Sequence, residues 1–96
     1  MIVIAASLEP NDDQFRAELP IESLVAPAGT VAVVLGVETP VYVTVDGNDP
    51  AESGLLLPQG IHQLPISEGG VLRVSDGAGW VSVLWLRFRP RSGQSA

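Results

Sequence analysis

The sequence predicts an all-β domain: a small antiparallel β-sandwich or barrel with an extended N-terminal arm. Three observations carry this. Apolar stretches recur from Ser23 onward with Gly-, Pro- and Asp-bearing turns between them, at the roughly 8–12-residue spacing of a sandwich or small barrel. The stretch VYVTVDG alternates with period two, placing Val41, Val43 and Val45 on one face and Tyr42, Thr44 and Asp46 on the other. No stretch sustains the i, i+3, i+4 apolar stripe of an amphipathic helix.

The elements follow in order. The opening MIVIAAS lacks a basic leader, and its apolar run is shorter than the ~7–15 residues of a secretory signal, so it reads as mature sequence made in the cytoplasm. LEPNDDQFRAELPIE carries Pro10, Pro20 and a cluster of acids: Glu9, Asp12, Asp13, Glu18 and Glu22. Asn11 has the chemistry of a helix cap and Pro20 that of a stop. With few apolar residues between them, the better reading is an extended arm over residues 1–20 whose polar middle is flanked by Ile2, Val3 and Ile4 on one side and Ile21 on the other. On this reading residues 21–89 form a domain that folds without the arm, and residues 90–96 are a flexible polar tail.

TVAVVLG (30–36) is a β-branched strand ending at Gly36. SGLLLPQGIHQLPI divides into two short strands at Pro58-Gln59-Gly60, and Pro58 and Pro65 suit sheet edges or bends because proline donates nothing to a ladder. In GVLRVSDGAGWVSVLWLRF, two strands flank Ser75-Asp76-Gly77-Ala78-Gly79, which has the residues of a hairpin turn. The last strand carries Val81, Val83 and Trp85 on one face and Leu84, Leu86 and Phe88 on the other. Both faces are therefore covered, either by the chain's own fold and arm or by a partner.

Composition narrows function. The chain has 96 residues, a net charge of −6, five Arg and no Lys or Cys. The acidity opposes nonspecific nucleic-acid binding, which rests on basic side chains neutralising phosphates. Missing Lys removes Schiff-base and P-loop chemistry; missing Cys removes disulfides, thiol nucleophiles and Cys-based zinc sites. No segment approaches the ~20 apolar residues of a membrane span. Apolar residues make up 46% and charged residues only 17%, a balance that points to apolar surface facing another subunit.

The motifs that resemble sites read more simply as structure. Asp46-Gly47-Asn48-Asp49-Pro50 lacks the alternating oxygen ligands and closing Glu of a calcium loop. Asp and Asn occupy turns because they bond their own backbone, so this is a corner and no metal is expected. His62, the single histidine, has no nucleophile elbow to serve and reads as a strand residue facing solvent or an interface. Trp80 and Trp85 fall on opposite faces of one strand and form no shared sugar platform. No catalytic residue and no cofactor is expected. The acidic arm faces a basic edge, Arg87, Arg89 and Arg91, with which it can pair within one chain or between neighbours.

VYVTVDGNDPAESGLLLPQGIHQLPI followed by LRVSDGAGWVSVLW resembles short β-rich virion proteins of tailed bacteriophages, of the minor-capsid or head-decoration type. The likeness covers about residues 40–85. It implies a non-enzymatic structural protein of the virion that oligomerises, as such proteins often do into trimers, and binds a major capsid or other virion protein to stabilise it. It implies binding of neither nucleic acid nor membrane. The partner interface expected is Ile2, Val3, Ile4, Phe15, Leu84, Trp85, Leu86, Arg87 and Arg89. The alternative is a small carbohydrate- or ligand-binding β-sandwich.

Overall fold

A computed structural model of the chain describes residues 8–75 and 79–89. The strands are β1 (Leu8–Pro10), β2 (Phe15–Glu18), β3 (Ile21–Val25), β4 (Ala32–Val37), β5 (Val41–Thr44), β6 (Leu55–Leu57), β7 (Gly60–Pro65), β8 (Val71–Ser75) and β9 (Trp80–Phe88). One short helix, α1 (Pro50–Ser53), interrupts the β5–β6 connection. The strands form two antiparallel sheets packed as a β-sandwich. In sheet A, β9 lies between β4 and the pair β1 and β2, with β7 beyond β4; sheet B runs β3-β8-β5-β6.

β1 and β2 act as one interrupted strand. Leu8 to Pro10 lie opposite Phe88 to Leu86, and Phe15 to Glu18 lie opposite Val83 to Trp80. Between them residues 11–14 span only Leu84 and Trp85 on β9, so this edge carries two extra residues as a bulge. Because the excess is even, side chains on both sides of the bulge keep their faces. With β1 and β2 taken together, eight strands remain. Their order, (1,2)-9-4-7 over 3-8-5-6, is that of a jelly roll.

The core forms where the inward residues of the two sheets meet. β4 and β9 are aligned so that Val33, Leu35 and Val37 lie beside Trp85, Val83 and Val81. Opposite them sheet B contributes Val41, Val43, Leu57, Leu72 and Val74 to the same cluster. Leu35 and Leu72 are wholly buried. Each such side chain contributes about 1.5–3 kcal/mol relative to its exposed state. The β-branched choice fits the pleat, and the period-two pattern in 41–45 and 81–85 fixes which face turns inward.

Two expectations change here. The strands that flank 75–79 do not form a hairpin: β8 belongs to sheet B and β9 to sheet A, and residues 76–78 lie outside the described segment. Turn chemistry specifies a reversal but not whether the reversal stays within one sheet. Nor are residues 8–18 a free arm. They complete the edge of β9, and Phe15 and Ala17 pack on the core. Alternate residues of β2 are half-buried, a weak signal that the surrounding acids hide. Pro65 ends the edge strand β7, and Pro58 lies in the connection from β6 to β7, the outermost strands on one flank.

Deleting residues 1–20 is therefore expected to abolish the cooperative thermal transition, because it strips one side of β9 and exposes part of the core. Circular dichroism during a thermal melt checks this; a truncated chain that still melts cooperatively with a β spectrum contradicts the strand assignment.

Candidate interaction surface

The outward face of sheet A is the site to which the sequence pattern on β9 leads. Leu84 and Leu86 point outward from β9, beside Val34 and Ala32 of β4. Leu8 lies opposite Phe88, and Ile61 of β7 lies opposite Gly36. Leu8, Ala32 and Leu86 form a second apolar cluster, with Val31, Val34 and Leu84 packed against it. Phe88 is 65% exposed and Ile61 80% exposed. Two shallow concavities mark this face. One of about 200 Å³ is lined by Val34, Gly36, Ile61, Ser82 and Leu84, with Gln14 at its rim. The other, about 240 Å³, is lined by Leu8, Ala32, Gln63, Pro65 and Phe88. Gly36 opens the first: a Cβ there would meet the Ser82 Cβ at 3.3 Å.

The expected interface residues separate into groups. Ile2, Val3 and Ile4 lie outside the described residues, as does Arg91. Trp85 is 3% exposed and belongs to the core of its own chain, so it is not available to a partner. Phe15 lies opposite Val83 and packs against that core. Leu86 is buried with Leu8 and Ala32, and only Leu84 is a half-exposed outward residue. The basic edge pairs within the chain: Arg87 reaches Glu9 at 2.6 Å. Arg89 donates to the Leu8 carbonyl at 3.3 Å, and its Nε stands 4.0 Å from Glu9. Such exposed pairs contribute only about 0–1 kcal/mol, so their role is to hold β1 in register with the end of β9.

Asn11 is not a helix cap. Its side-chain amide donates to the Ala28 carbonyl and to Thr30 Oγ1, both at 3.0 Å, and thereby fastens the bulge to the β3–β4 turn. Trp80 and Trp85 take opposite faces. Trp80, on the outward face, has the Arg16 guanidinium 5.5 Å from its ring centroid, a cation–π contact.

The Asp46–Pro50 segment is a corner. Asp46 accepts from the Asn48 backbone N–H at 3.1 Å and from its side-chain amide at 2.9 Å. Gly47 takes a φ of +83°, which a residue with a side chain rarely adopts. Thr44 Oγ1 donates to the Asn48 carbonyl at 2.7 Å, and Arg73 donates to the Gly47 carbonyl at 3.2 Å, tying the corner to sheet B. Asp49 caps α1, accepting from Ala51 N–H at 3.0 Å, with Pro50 at the helix start. Among the described residues no group of three His, Cys, Asp or Glu side chains is placed to hold a metal ion, and no helix is long and apolar enough to cross a membrane.

The residues that sequence reasoning missed lie on β6 and β7. Leu55 and Leu56 of β6 are 57% and 52% exposed, and Ile61 of β7 is exposed as well. Their signal was present as the absence of any charged residue between Glu52 and Glu68. Comparison with known protein families, curated proteins and solved structures finds no match to this chain.

Asp49→Ala is expected to lower stability by about 1 kcal/mol, the usual value of such a cap, while calcium or EDTA leaves the wild-type melting temperature unchanged. Chemical denaturation and thermal melts check both parts; a cation-dependent rise in melting temperature identifies the corner as a binding site, because a ligand of the native state stabilises it.

Proposed function

We propose that this protein is a non-catalytic structural module that docks onto a larger protein assembly through the outward face of sheet A. The observation that carries the reading is the continuous apolar surface from Leu84 and Val34 to Ile61 and Phe88, on a domain with few charges elsewhere to match it. Contiguous exposed apolar surface on a small domain marks interaction sites. Its shallow concavities suit side chains of a protein partner better than an enclosed small ligand.

The assembly proposed is the virion of a tailed bacteriophage, with the chain as a minor-capsid or head-decoration protein bound to the major capsid protein. Support comes from the resemblance over residues 40–85 and from the jelly-roll strand order, an architecture used by viral capsid domains and also by lectins and cupins. Fold alone assigns no function. The choice among these rests on the surface: Arg16 stands over the outward Trp80, whereas Phe88 and Ile61 are largely exposed.

Phe88→Asp tests the docking face. The side chain is largely exposed, so the isolated fold should change by no more than about 0.5 kcal/mol. Losing ~1.5–3 kcal/mol of apolar burial at an interface should weaken docking roughly 10- to 100-fold. Co-sedimentation with heads of the phage that encodes the chain, together with immunogold electron microscopy, reads this out. Regular labelling of heads that Phe88→Asp abolishes is the expected result; a chain that never sediments with heads overturns the reading.

A further inference from the structure

We propose that β7 is the seam of a two-fold dimer, in which the β7 edges of two copies pair antiparallel around His62 and Gln63 and join two copies of sheet A into one continuous sheet. This goes beyond the docking face above: the seam is the backbone edge of β7, on the flank of the sandwich formed by β6 and β7, and meets that face along Ile61, Gln63 and Pro65.

The backbone pattern identifies what the edge offers. Among the described residues β7 pairs with β4 alone. The Ile66 N–H donates to the Val31 carbonyl at 3.3 Å, which fixes the alternation along the ladder. Leu64, His62 and Gly60 then exchange bonds with β4, while the intervening residues point their backbone groups away from it. The free edge therefore presents the N–H groups of Ile61 and Gln63 and the carbonyls of Ile61, Gln63 and Pro65. Pro65 falls at one of these outward positions, where a missing N–H costs no bond within the chain.

Charge makes a second copy the fitting occupant. Sheet edges are ordinarily protected by charged side chains. Residues 53–67 carry no Asp, Glu, Lys or Arg, and neither do residues 23–37, which include the neighbouring β4. The acids of β1 to β3 lie across the sandwich from this flank. Two copies that each carry −6 repel least where these uncharged flanks face each other. An antiparallel pair of identical strands also generates its own two-fold axis, the commonest symmetry of homo-oligomers.

A six-residue ladder is a short contact, and the flank supplies more. Ile61 on β7 is exposed, and exposed Leu55 of β6 lines a cleft with Leu64 and Pro65 of β7. This cleft of about 290 Å³ between the sheets is also lined by Val43 and Val45, with Thr44, Asp46 and Ser53 at its polar end. These surfaces extend the seam toward the ~1,000 Å² that a specific interface needs.

Light scattering on the full chain after size exclusion tests the proposal with two variants. Gln63→Pro removes an outward N–H without touching the β4 ladder, and Ile61→Lys places a charge beside the seam. The wild type should have twice the 10.1 kDa chain mass, and both variants should fall to half the wild-type mass with an unchanged β spectrum and melt. A single-chain or three-chain wild-type mass overturns the proposal, as does a dimer that survives both variants. So does a dimer lost on deleting residues 1–7 but retained in Ile61→Lys, which would make the N-terminal segment the occupant. Mass reads the seam and head binding reads the docking face: Phe88→Asp, which lies outside β7, should keep the wild-type mass while losing the heads, so failure of the docking face is distinguished from failure of the seam.

Discussion

The pairing of β9 on both of its edges, with apolar side chains on both of its faces, is the constraint on which the rest of the structure depends. One edge meets β4 across Val81–Leu86, and the other meets β2 and then β1. The inward residues Val81, Val83 and Trp85 anchor the core, and the outward residues Leu84 and Leu86 build the second cluster. A slip of one residue in the β4–β9 register would exchange the two sets, placing Trp85 outside and Leu86 inside. Register is therefore specified from both sides at once. The bulge between β1 and β2 keeps an even excess of residues, so Leu8 and Phe15 each reach their own face.

This arrangement explains how a small chain holds together with few local contacts. Among the described elements only β5 and β6 are consecutive in sequence and paired in space. Every other ladder joins distant segments, so the loop-closure entropy is large and folding is expected to be slow for the size. The compensation is β9, which meets three other strands and so brings residues 8–18, 32–37 and 80–88 into one sheet. It also leaves β7 and β6 as the outermost strands of their sheets, and these are the uncharged ones. Acids concentrate on β1 to β3 and the loop between them, with a second group at the Asp46–Glu52 corner that leads into β6.

Much of the fold was legible in the sequence. The alternation of Val41, Val43 and Val45, the two-sided pattern of residues 81–88 and the edge prolines all report backbone periodicity, which is local. What was not legible is how strands distribute between sheets. The Ser75–Gly79 turn has the residues of a hairpin, yet the strands that flank it belong to different sheets, because turn chemistry does not encode which strand becomes the neighbour. Residues 8–18 read as an arm because acids outnumber apolar residues there; only the partner strand shows that Leu8, Phe15 and Ala17 are the ones that count. Half of the candidate interface was similarly hidden. Trp85 and Leu84 are adjacent in sequence and equally apolar, and nothing local shows that one is sealed in the core while the other faces outward. The exposure of Leu55, Leu56 and Ile61 had a sequence counterpart in the charge-free run around them, a signal carried by missing residues.

Native-state amide hydrogen exchange tests the central role of β9 most directly, because protection reports the free energy of opening at each backbone N–H. If β9 is the shared strand of sheet A, the amides of residues 81–86 and their β4 partners exchange only through global unfolding and are the most protected in the chain. Those of β6 exchange by local opening. Fast local exchange of residues 81–86 while β3, β5 and β8 remain protected would contradict the account, since sheet B would then hold the fold and β9 would be an accessory strand.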